Sequence, residues 1–489
     1  PDPDSGAVGF EHGGPTRTSR ALAMTQIAVF DAANAFRGRF SPYNDVGAAP
    51  QGASFDAAVA SASYTVQVAL YPAQEERLTA LLESDLAQLR ASAESVELGR
   101  ELGETAALAI LERRLDDGSD HDEPDWGEGG TIAGGGADAN GEPVNAGSSE
   151  VFKWEPDPLT PPTSGDFNLA LGAHWGAVTP FALGSGAQYR IGPPPEPGSP
   201  AYLAGWWETH LYGASADTAL SQSTPETRFI GNFWGYDATP LLGTPPRLYN
   251  QIAVSVAKNE GLDDPVELAR YLALINVGLA DAGIAAWDSK YYYNYWRPVI
   301  GMRRADEAKE DEPPRSRRGG LASRALRAVG ALRPRGTAAT VENPDWKPVG
   351  ISVINTEAAI TPTPPFPAYP SGHSTFGATT FEIMRSFFGD ETRFTFVSEE
   401  YNGEGVDPLG VPRPLVPVRF QSLTEAQEQN GKSRIYNGSH WPWDDSSGQE
   451  LGVNVGRHLL DRGAAFQPVR SGAERQQRGR GDRGRRGSR

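Results

Sequence analysis

The run Pro265 to Trp296, PVELARYLALINVGLADAGIAAWDSKYYYNYW, constrains the fold more than any other stretch of this chain. It is apolar and aromatic almost throughout, and it is long enough to form a central buried helix. If the helix continues through its end, Trp287, Lys290, Asn294 and Arg297 fall at steps of three, four and three and share one face. Pro298 then ends or kinks it, because the residue before a proline resists the α conformation. Two cations on so apolar a surface are costly to bury unless an anion meets them. The ordinary alternative is that they snorkel to water or pair with acids elsewhere.

The rest of the chain is read around that helix. SRALAMTQIAVFDAANAF, AAVASASYTVQVAL, EERLTALLESDLAQL and SVELGRELGETAALAILERRL repeat apolar residues every three or four positions, the pattern of amphipathic helices. Alternating, strand-like runs are few and short, so the fold class expected is mainly α. Residues 117–150 are rich in Gly and Asp and read as a surface loop. Their acids lack the spacing of a calcium loop, and a solvated loop is the better reading. Residues 303–336 form an Arg-rich surface insertion, and 468–489 an Arg/Gly tail expected to be disordered. What remains, 1–467, is expected to be one catalytic domain.

Charge narrows the partners. The formal net charge is −18, with a pI near 4.9. Such a surface disfavours nucleic acid and anionic membranes. No stretch approaches the length of uninterrupted apolar sequence that a membrane span needs, so none is expected. Any anion site must be built locally, against the global field. The chain has no cysteine, which removes disulfides, thiolate metal sites and cysteine nucleophiles, and only three methionines. Scarcity of the two side chains most easily oxidised suits a protein that makes an oxidant, although compositional drift explains it as well. The opening PDPDSGAVGF reads as a processed start, and an exported protein is the expectation.

Two further stretches answer the cations of the long helix. In ITPTPPFPAYPSGHSTF, Pro362, Pro364, Pro365, Pro367 and Pro370 stiffen an extended approach to a helix that starts at Ser371, Gly372 and His373. Unsatisfied N–H groups at a helix start bind anions, and glycine lets the anion come close. His373, with an ordinary pKa of about 6.5, can exchange a proton with the bound group, or it can simply be a hydrogen-bonded cap residue. In SRIYNGSHWPWDD, Asp444 lies four residues after His440 and could orient its ring through the second nitrogen, or cap the following helix, or both. Together these stretches supply Lys290, Arg297, Arg434, a Ser-Gly helix start and two histidines of the seven in the chain. A tetrahedral or trigonal-bipyramidal oxyanion needs that set. Cations and N–H donors neutralise its equatorial oxygens, one histidine meets the central atom, and the other handles a proton.

In order, the three stretches match K-x6-RP, PSGH and SR-x5-H-x3-D, at Lys290, Arg297, Pro298, Pro370, Ser371, Gly372, His373, Ser433, Arg434, His440 and Asp444. The chain thereby resembles the superfamily that joins type 2 phosphatidic-acid phosphatases with vanadium-dependent haloperoxidases. TPPFPAYPSGH, GTPPRLYNQI and WDSK are similar to stretches of the chloroperoxidase branch, and the likeness runs loosely from about residue 20 to 460.

That resemblance implies an all-α fold of two four-helix bundles surrounding one vanadate site, with long irregular loops. It implies vanadate as cofactor, with His440 bonding vanadium and Lys290, Arg297, Ser371, Gly372 and Arg434 holding the oxygens. His373 would hydrogen-bond the apical hydroxyl and help activate peroxide. Asp237 resembles an acid that pairs with Arg434, and Trp287 with Phe366 resembles an aromatic pair lining a halide pocket. Ordinary core packing is the alternative for that pair. The implied reaction is oxidation of chloride or bromide by hydrogen peroxide to hypohalous acid, which halogenates an organic small molecule. Vanadium(V) acts there as a Lewis acid with no change of oxidation state, and Lys290 polarises the bound peroxide. A soluble acid phosphatase with His440 as nucleophile, and a non-catalytic oxyanion carrier, are the competing readings. Homo-oligomerisation is left open.

Overall fold

The computed structural model describes residues 13–121, 152–159, 170–236, 243–304, 340, 342–350, 363–404, 412–463 and 465–469. Among these the mainly helical expectation holds. Twelve α-helices are joined by short 3-10 turns and irregular segments, with one two-stranded antiparallel sheet, β1 (Phe394–Asn402) against β2 (Leu415–Phe420). Sequence periodicity did not single out that hairpin. Most of the Arg-rich insertion and of the basic tail lies outside the described residues. The chain divides into two compact units. One comprises Met24–Leu115, Asp263–Leu274 and Asp461–Arg489, and the other Pro1–Ala23, Asp116–Leu262 and Ile275–Leu460.

In the smaller unit, α2 (Phe55–Leu70), α3 (Glu75–Ala87) and α4 (Ala93–Arg113) follow the end of α1 (Gly14–Ala35). Ser54 and Ser92 cap α2 and α4, each accepting the N–H of the residue three positions on. A Cβ at Gly99 or Gly103 of α4 would come within 2.4 or 2.2 Å of the carbonyls of Ser54 or Ala58, so the two helices touch backbone to backbone. Asp31, buried on α1, accepts the N–H groups of Tyr43 and Asn44 at 2.8 Å each and so pins the following loop.

The larger unit contains α5 (Pro200–Tyr212), α6 (Pro225–Phe233), α7 (Pro245–Asn259), most of α8 (Pro265–Tyr293), α9 (Pro298–Arg303), α10 (Gly372–Phe388), α11 (Leu423–Tyr436) and α12 (Pro442–Arg462). Six of these open on proline, whose missing N–H costs nothing in a first turn and whose fixed φ suits a helix start. α8 is long and apolar enough to cross a membrane, which the sequence reading did not expect; 83% of its most apolar window is buried inside the protein, as in a core helix. Its polar side chains are met locally. Asp281 accepts the N–H groups of Phe181, Ala182 and Leu183 at 2.6–2.9 Å. Asp288 takes Arg190 through two hydrogen bonds of 2.8 and 2.9 Å.

The contact that most directly shapes the site is between α10 and α12. Gly448, Gly452 and Gly456 recur every four residues along α12, and Cβ atoms there would meet the carbonyls of Ser371, Thr375 and Thr379 at 2.7, 2.3 and 3.2 Å. Small residues on that face let the two backbones touch. Thr379 Oγ1 donates to the carbonyl of Gly452 at 2.9 Å across the crossing. At its end the N–H of Ser371 donates to the main-chain oxygen of Asp444, also at 2.9 Å. The starts of two helices, each carrying motif residues, are thereby clamped side by side.

Candidate active site

Lys290 and Arg297 do not share a helical face. α8 ends at Tyr293, and Asn294 adopts φ +45°, turning the chain away. Arg297 is extended (φ −83°, ψ 159°) as the cap residue of α9, the conformation that Pro298 requires of its predecessor. The two cations reach one place by different routes, Lys290 from the last helical turn and Arg297 from the loop beyond it.

Lys290 is completely buried, and its ammonium meets three main-chain carbonyls: Pro367 and Ala368 at 2.9 Å each and Pro370 at 2.5 Å. This gives the proline run a second purpose. Prolines cannot donate, but in this extended path their carbonyls turn toward one cation. All three ammonium hydrogens are directed at the loop, so donating to a bound anion would mean exchanging one carbonyl. Burial, with Arg297 nearby, holds the Lys290 pKa well below the ordinary lysine value, and Asp444 pulls the other way.

Arg297, also fully buried, donates through Nε to Phe366 O (3.0 Å) and through Nη1 to Ser439 O (2.9 Å), with the same Nη1 3.4 Å from His440 Nε2. On its other edge His440 places Nδ1 2.9 Å from Asp444 Oδ2. That oxygen is held as an acceptor by a main-chain N–H, so the ring hydrogen sits on Nδ1 and the Nε2 lone pair faces the cations. Burial and the charges of Arg297, Lys290 and Arg434 hold the His440 pKa well below its ordinary value, which keeps that lone pair available. Asp444 is the third residue of α12, not part of a helix running through His440, since α12 begins at Pro442. Its Oδ2 also accepts the N–H of Trp441 at 3.0 Å, so it orients the histidine and caps the helix start at once. Burial pushes Asp444 up to about 7, against that N–H and the charges of Lys290 and Arg297.

Ser371 caps α10, its hydroxyl oxygen accepting the Ser374 N–H at 3.3 Å while its own hydrogen remains to be donated. Gly372 is the first helical residue, where no carbonyl of the helix can reach its N–H. A Cβ there would lie 3.3 Å from the Trp287 ring and 3.9 Å from Lys290 Cε. His373 follows, buried, with Nε2 2.8 Å from the Gly235 carbonyl. Burial and then Arg434 push its pKa well below the ordinary value, while the carbonyls of Gly235 and Trp234 oppose that shift. Arg434, fully buried near the end of α11, bears electrostatically on both histidines.

Trp287 and Phe366 are in contact, with ring centroids 4.8 Å apart. Lys290 Nζ lies 5.1 Å and Arg297 Cζ 4.9 Å from the Phe366 centroid, so the aromatic wall carries cationic charge on its face. Trp287 is fixed by its Nε1–H to Leu171 O (3.0 Å), and Gly172, at φ +74°, passes so close that a Cβ would come within 2.5 Å of Nε1.

Sequence reasoning missed several supports. Asn430 Nδ2 donates to the His373 carbonyl at 3.0 Å, and the Tyr249 hydroxyl lies 2.9 Å from the same oxygen. Gly377, one turn after His373, makes room for that amide, since a Cβ there would meet Asn430 Nδ2 at 2.3 Å. Ser374 Oγ donates to Asp445 Oδ1 at 2.8 Å. Asp237 lies outside the described residues. Every other motif residue predicted for the site is brought into this one buried cluster.

Among the described residues no group of three or more His, Asp or Glu side chains converges as a metal-cation site. Three buried cations, a helix start and one unprotonated imidazole nitrogen instead suit an oxyanion whose central atom accepts a nitrogen ligand.

Residues 270–467 match the family model described as the VCPO second helical-bundle domain. The vanadium chloroperoxidase of Curvularia inaequalis is 30% identical over 272 residues, 49% of this chain and 39% of that protein. The match thus spans well under half of that relative. Among solved structures, the first bacterial vanadium-dependent iodoperoxidase superposes with a TM-score of 0.64 and 21% identity, covering 94% of this chain and 92% of the other. The apo and holo forms of a bacterial vanadium-dependent chloroperoxidase give 0.62 each, at 15% and 16% identity, with 93% and 94% of this chain and 96% and 94% of theirs covered. By motif, by family model and by helical fold, the chain resembles the vanadium-dependent haloperoxidases.

Proposed function

We propose that this chain is a vanadium-dependent haloperoxidase that uses hydrogen peroxide to oxidise chloride or bromide, the hypohalous product then halogenating an organic small molecule. The observation that carries the reading is His440, anchored at Nδ1 by Asp444 and presenting an unprotonated Nε2 to Arg297 within a cluster of buried cations. Bound vanadate would supply a Lewis acid that activates peroxide without changing its own oxidation state.

The protein supplies the surroundings. His440 Nε2 would bond the central atom, and Arg297, Arg434, the Ser371 hydroxyl and the Gly372 N–H would hold the oxygens. Lys290 contributes a fixed positive field from behind its three carbonyls and donates directly only if it exchanges one of them. An anion in the pocket would raise the pKa values of Lys290 and the histidines, which burial and the neighbouring cations depress. His373 is the group placed to pass a proton to and from the bound oxygens. The Trp287–Phe366 wall, apolar yet facing two cations, is the surface we assign to the halide. A phosphatase with His440 as nucleophile would use the same contacts, but the relatives named above are haloperoxidases and the aromatic wall has no role in ester hydrolysis.

The test is halogenation by protein stripped of metal and phosphate and then given orthovanadate, with peroxide and chloride, bromide or iodide, followed by bleaching of a dione indicator. Vanadate-dependent turnover with chloride or bromide is expected. Absence of turnover with every halide, alongside phosphate-ester hydrolysis inhibited by vanadate, would refute it.

A further inference from the structure

The ring of His373 is held by main chain, and that main chain is held by a tyrosine outside every motif. Nε2 of His373 lies 2.8 Å from Gly235 O. A carbonyl oxygen only accepts, so the neutral ring carries its hydrogen on Nε2 and its lone pair on Nδ1. The carbonyls of the Trp234–Gly235 turn, with that of Gly235 in hydrogen-bond contact at Nε2, therefore set which nitrogen of His373 can take a proton.

What fixes that carbonyl is the next residue. Tyr236 is fully buried and adopts φ +51°, a left-handed conformation that costs a non-glycine residue roughly 1–2 kcal/mol. Its hydroxyl donates to Gln251 Oε1 (3.1 Å) on α7 and accepts the N–H of Glu399 (2.8 Å) on β1. Gln251 Nε2 donates to Glu399 Oε1 at 2.7 Å, and Arg247 binds both oxygens of that carboxylate at 2.5 and 2.8 Å. The hydroxyl is thus used on both sides by partners that are themselves fixed, which is how an unfavourable backbone conformation is maintained. On the other side of the turn, Gly235 N–H donates to Asn232 O at 2.9 Å, and a Cβ at Gly235 would meet Glu400 Oε1 at 3.2 Å. The carbonyl between these anchors is presented to His373.

We propose that Tyr236, through Gln251 and Glu399, is a positioning residue that aims the Gly235 carbonyl and so locks His373 in the Nε2–H tautomer. For its effect on turnover the inference rests on the haloperoxidase reading; the tautomer itself does not depend on that reading.

The experiment is long-range 1H–15N NMR of the full chain with 15N-labelled histidine, His373 being assigned by difference from His373→Gln. In the parent, His373 should show a protonated Nε2 and an unprotonated Nδ1. In Tyr236→Phe, which keeps the ring and removes only the hydroxyl, the two nitrogen shifts should converge toward a tautomer mixture. Vanadate affinity should fall roughly tenfold, the low end of what loss of an outer support costs. Gln251→Leu should reproduce both effects, and it decides the matter if Tyr236→Phe fails to fold. Unchanged His373 shifts in a folded variant would overturn the proposal, whatever its stability. A shifted tautomer in a protein that oxidises no halide would sustain the positioning role and sink the haloperoxidase reading alone.

Discussion

Oδ2 of Asp444 lies 2.9 Å from Nδ1 of His440, across the boundary between a loop and the helix that follows it. The same oxygen takes the N–H of Trp441, and the main-chain oxygen of Asp444 takes the N–H of Ser371. One residue therefore orients the imidazole, starts α12 and ties α12 to the start of α10.

The first prediction concerns that bond. Asp444→Ala leaves the main-chain link to Ser371 in place but frees the His440 ring, whose hydrogen can then move to Nε2. Vanadate affinity should fall by about 10–100-fold, as when the outer partner of a metal-ligating histidine is lost. Calorimetric titration with orthovanadate checks this. Equal affinity in parent and variant would mean that the ring is oriented by packing and not by Asp444.

Lys290→Met separates the two tasks of the buried ammonium. Methionine fills the space but leaves the carbonyls of Pro367, Ala368 and Pro370 without their shared donor. Each buried acceptor so orphaned costs on the order of 1–3 kcal/mol, and partial relief by relaxation puts the expected total at about 2–5 kcal/mol. Urea unfolding reads it directly. A variant that lost turnover at full stability would show that the lysine serves the bound anion and not the proline loop.

How far the site was legible in the sequence follows from how far apart its parts lie. Lys290, His373, Arg434 and His440 sit in short ordered motifs whose residue types have few joint uses, so the cluster could be inferred without coordinates. Periodicity gave the helices for the same reason, as in α3 and α4, where one face repeats. It misled at Asn294, because a left-handed residue inside an apolar run leaves no mark in a helical wheel, and only the Arg-Pro step hinted at the extended Arg297. Gly235, Tyr249 and Asn430 act on His373 from 138, 124 and 57 residues away, through main-chain oxygens. A carbonyl carries no residue identity, so nothing in the sequence could announce those contacts.

Gly172→Ala tests whether the aromatic wall does more than pack. At φ +74° any Cβ is strained, and here it would press on Trp287 Nε1, displacing the ring from Leu171 O and from Phe366. The left-handed alanine alone should cost about 1–2 kcal/mol in a thermal or urea melt. If the wall meets the halide, kcat/KM for chloride and bromide should change unequally while vanadate affinity stays within about threefold. Equal losses for both halides, matched by weaker vanadate binding, would assign the pair to core packing.

The last prediction lies in the smaller unit and needs no cofactor. Burial raises the Asp31 carboxyl from 3.8 to about 7, and the N–H groups of Asn44 and Tyr43 only partly oppose it. Between those two values the folded protein holds a proton that the unfolded chain has released. Stability must therefore fall as pH rises through that window and level off above it. At 1.36 kcal/mol per unit the full loss approaches about 4 kcal/mol, of which about 2–3 falls between pH 5 and pH 8. Asp31→Asn keeps an acceptor for the loop but cannot titrate, so the gap in unfolding free energy between parent and variant should shift in favour of the variant by that amount from pH 5 to pH 8. Urea unfolding of both proteins at the two pH values measures it. A gap that stayed constant, or moved the other way, would mean that the two N–H groups hold Asp31 ionised in spite of its burial.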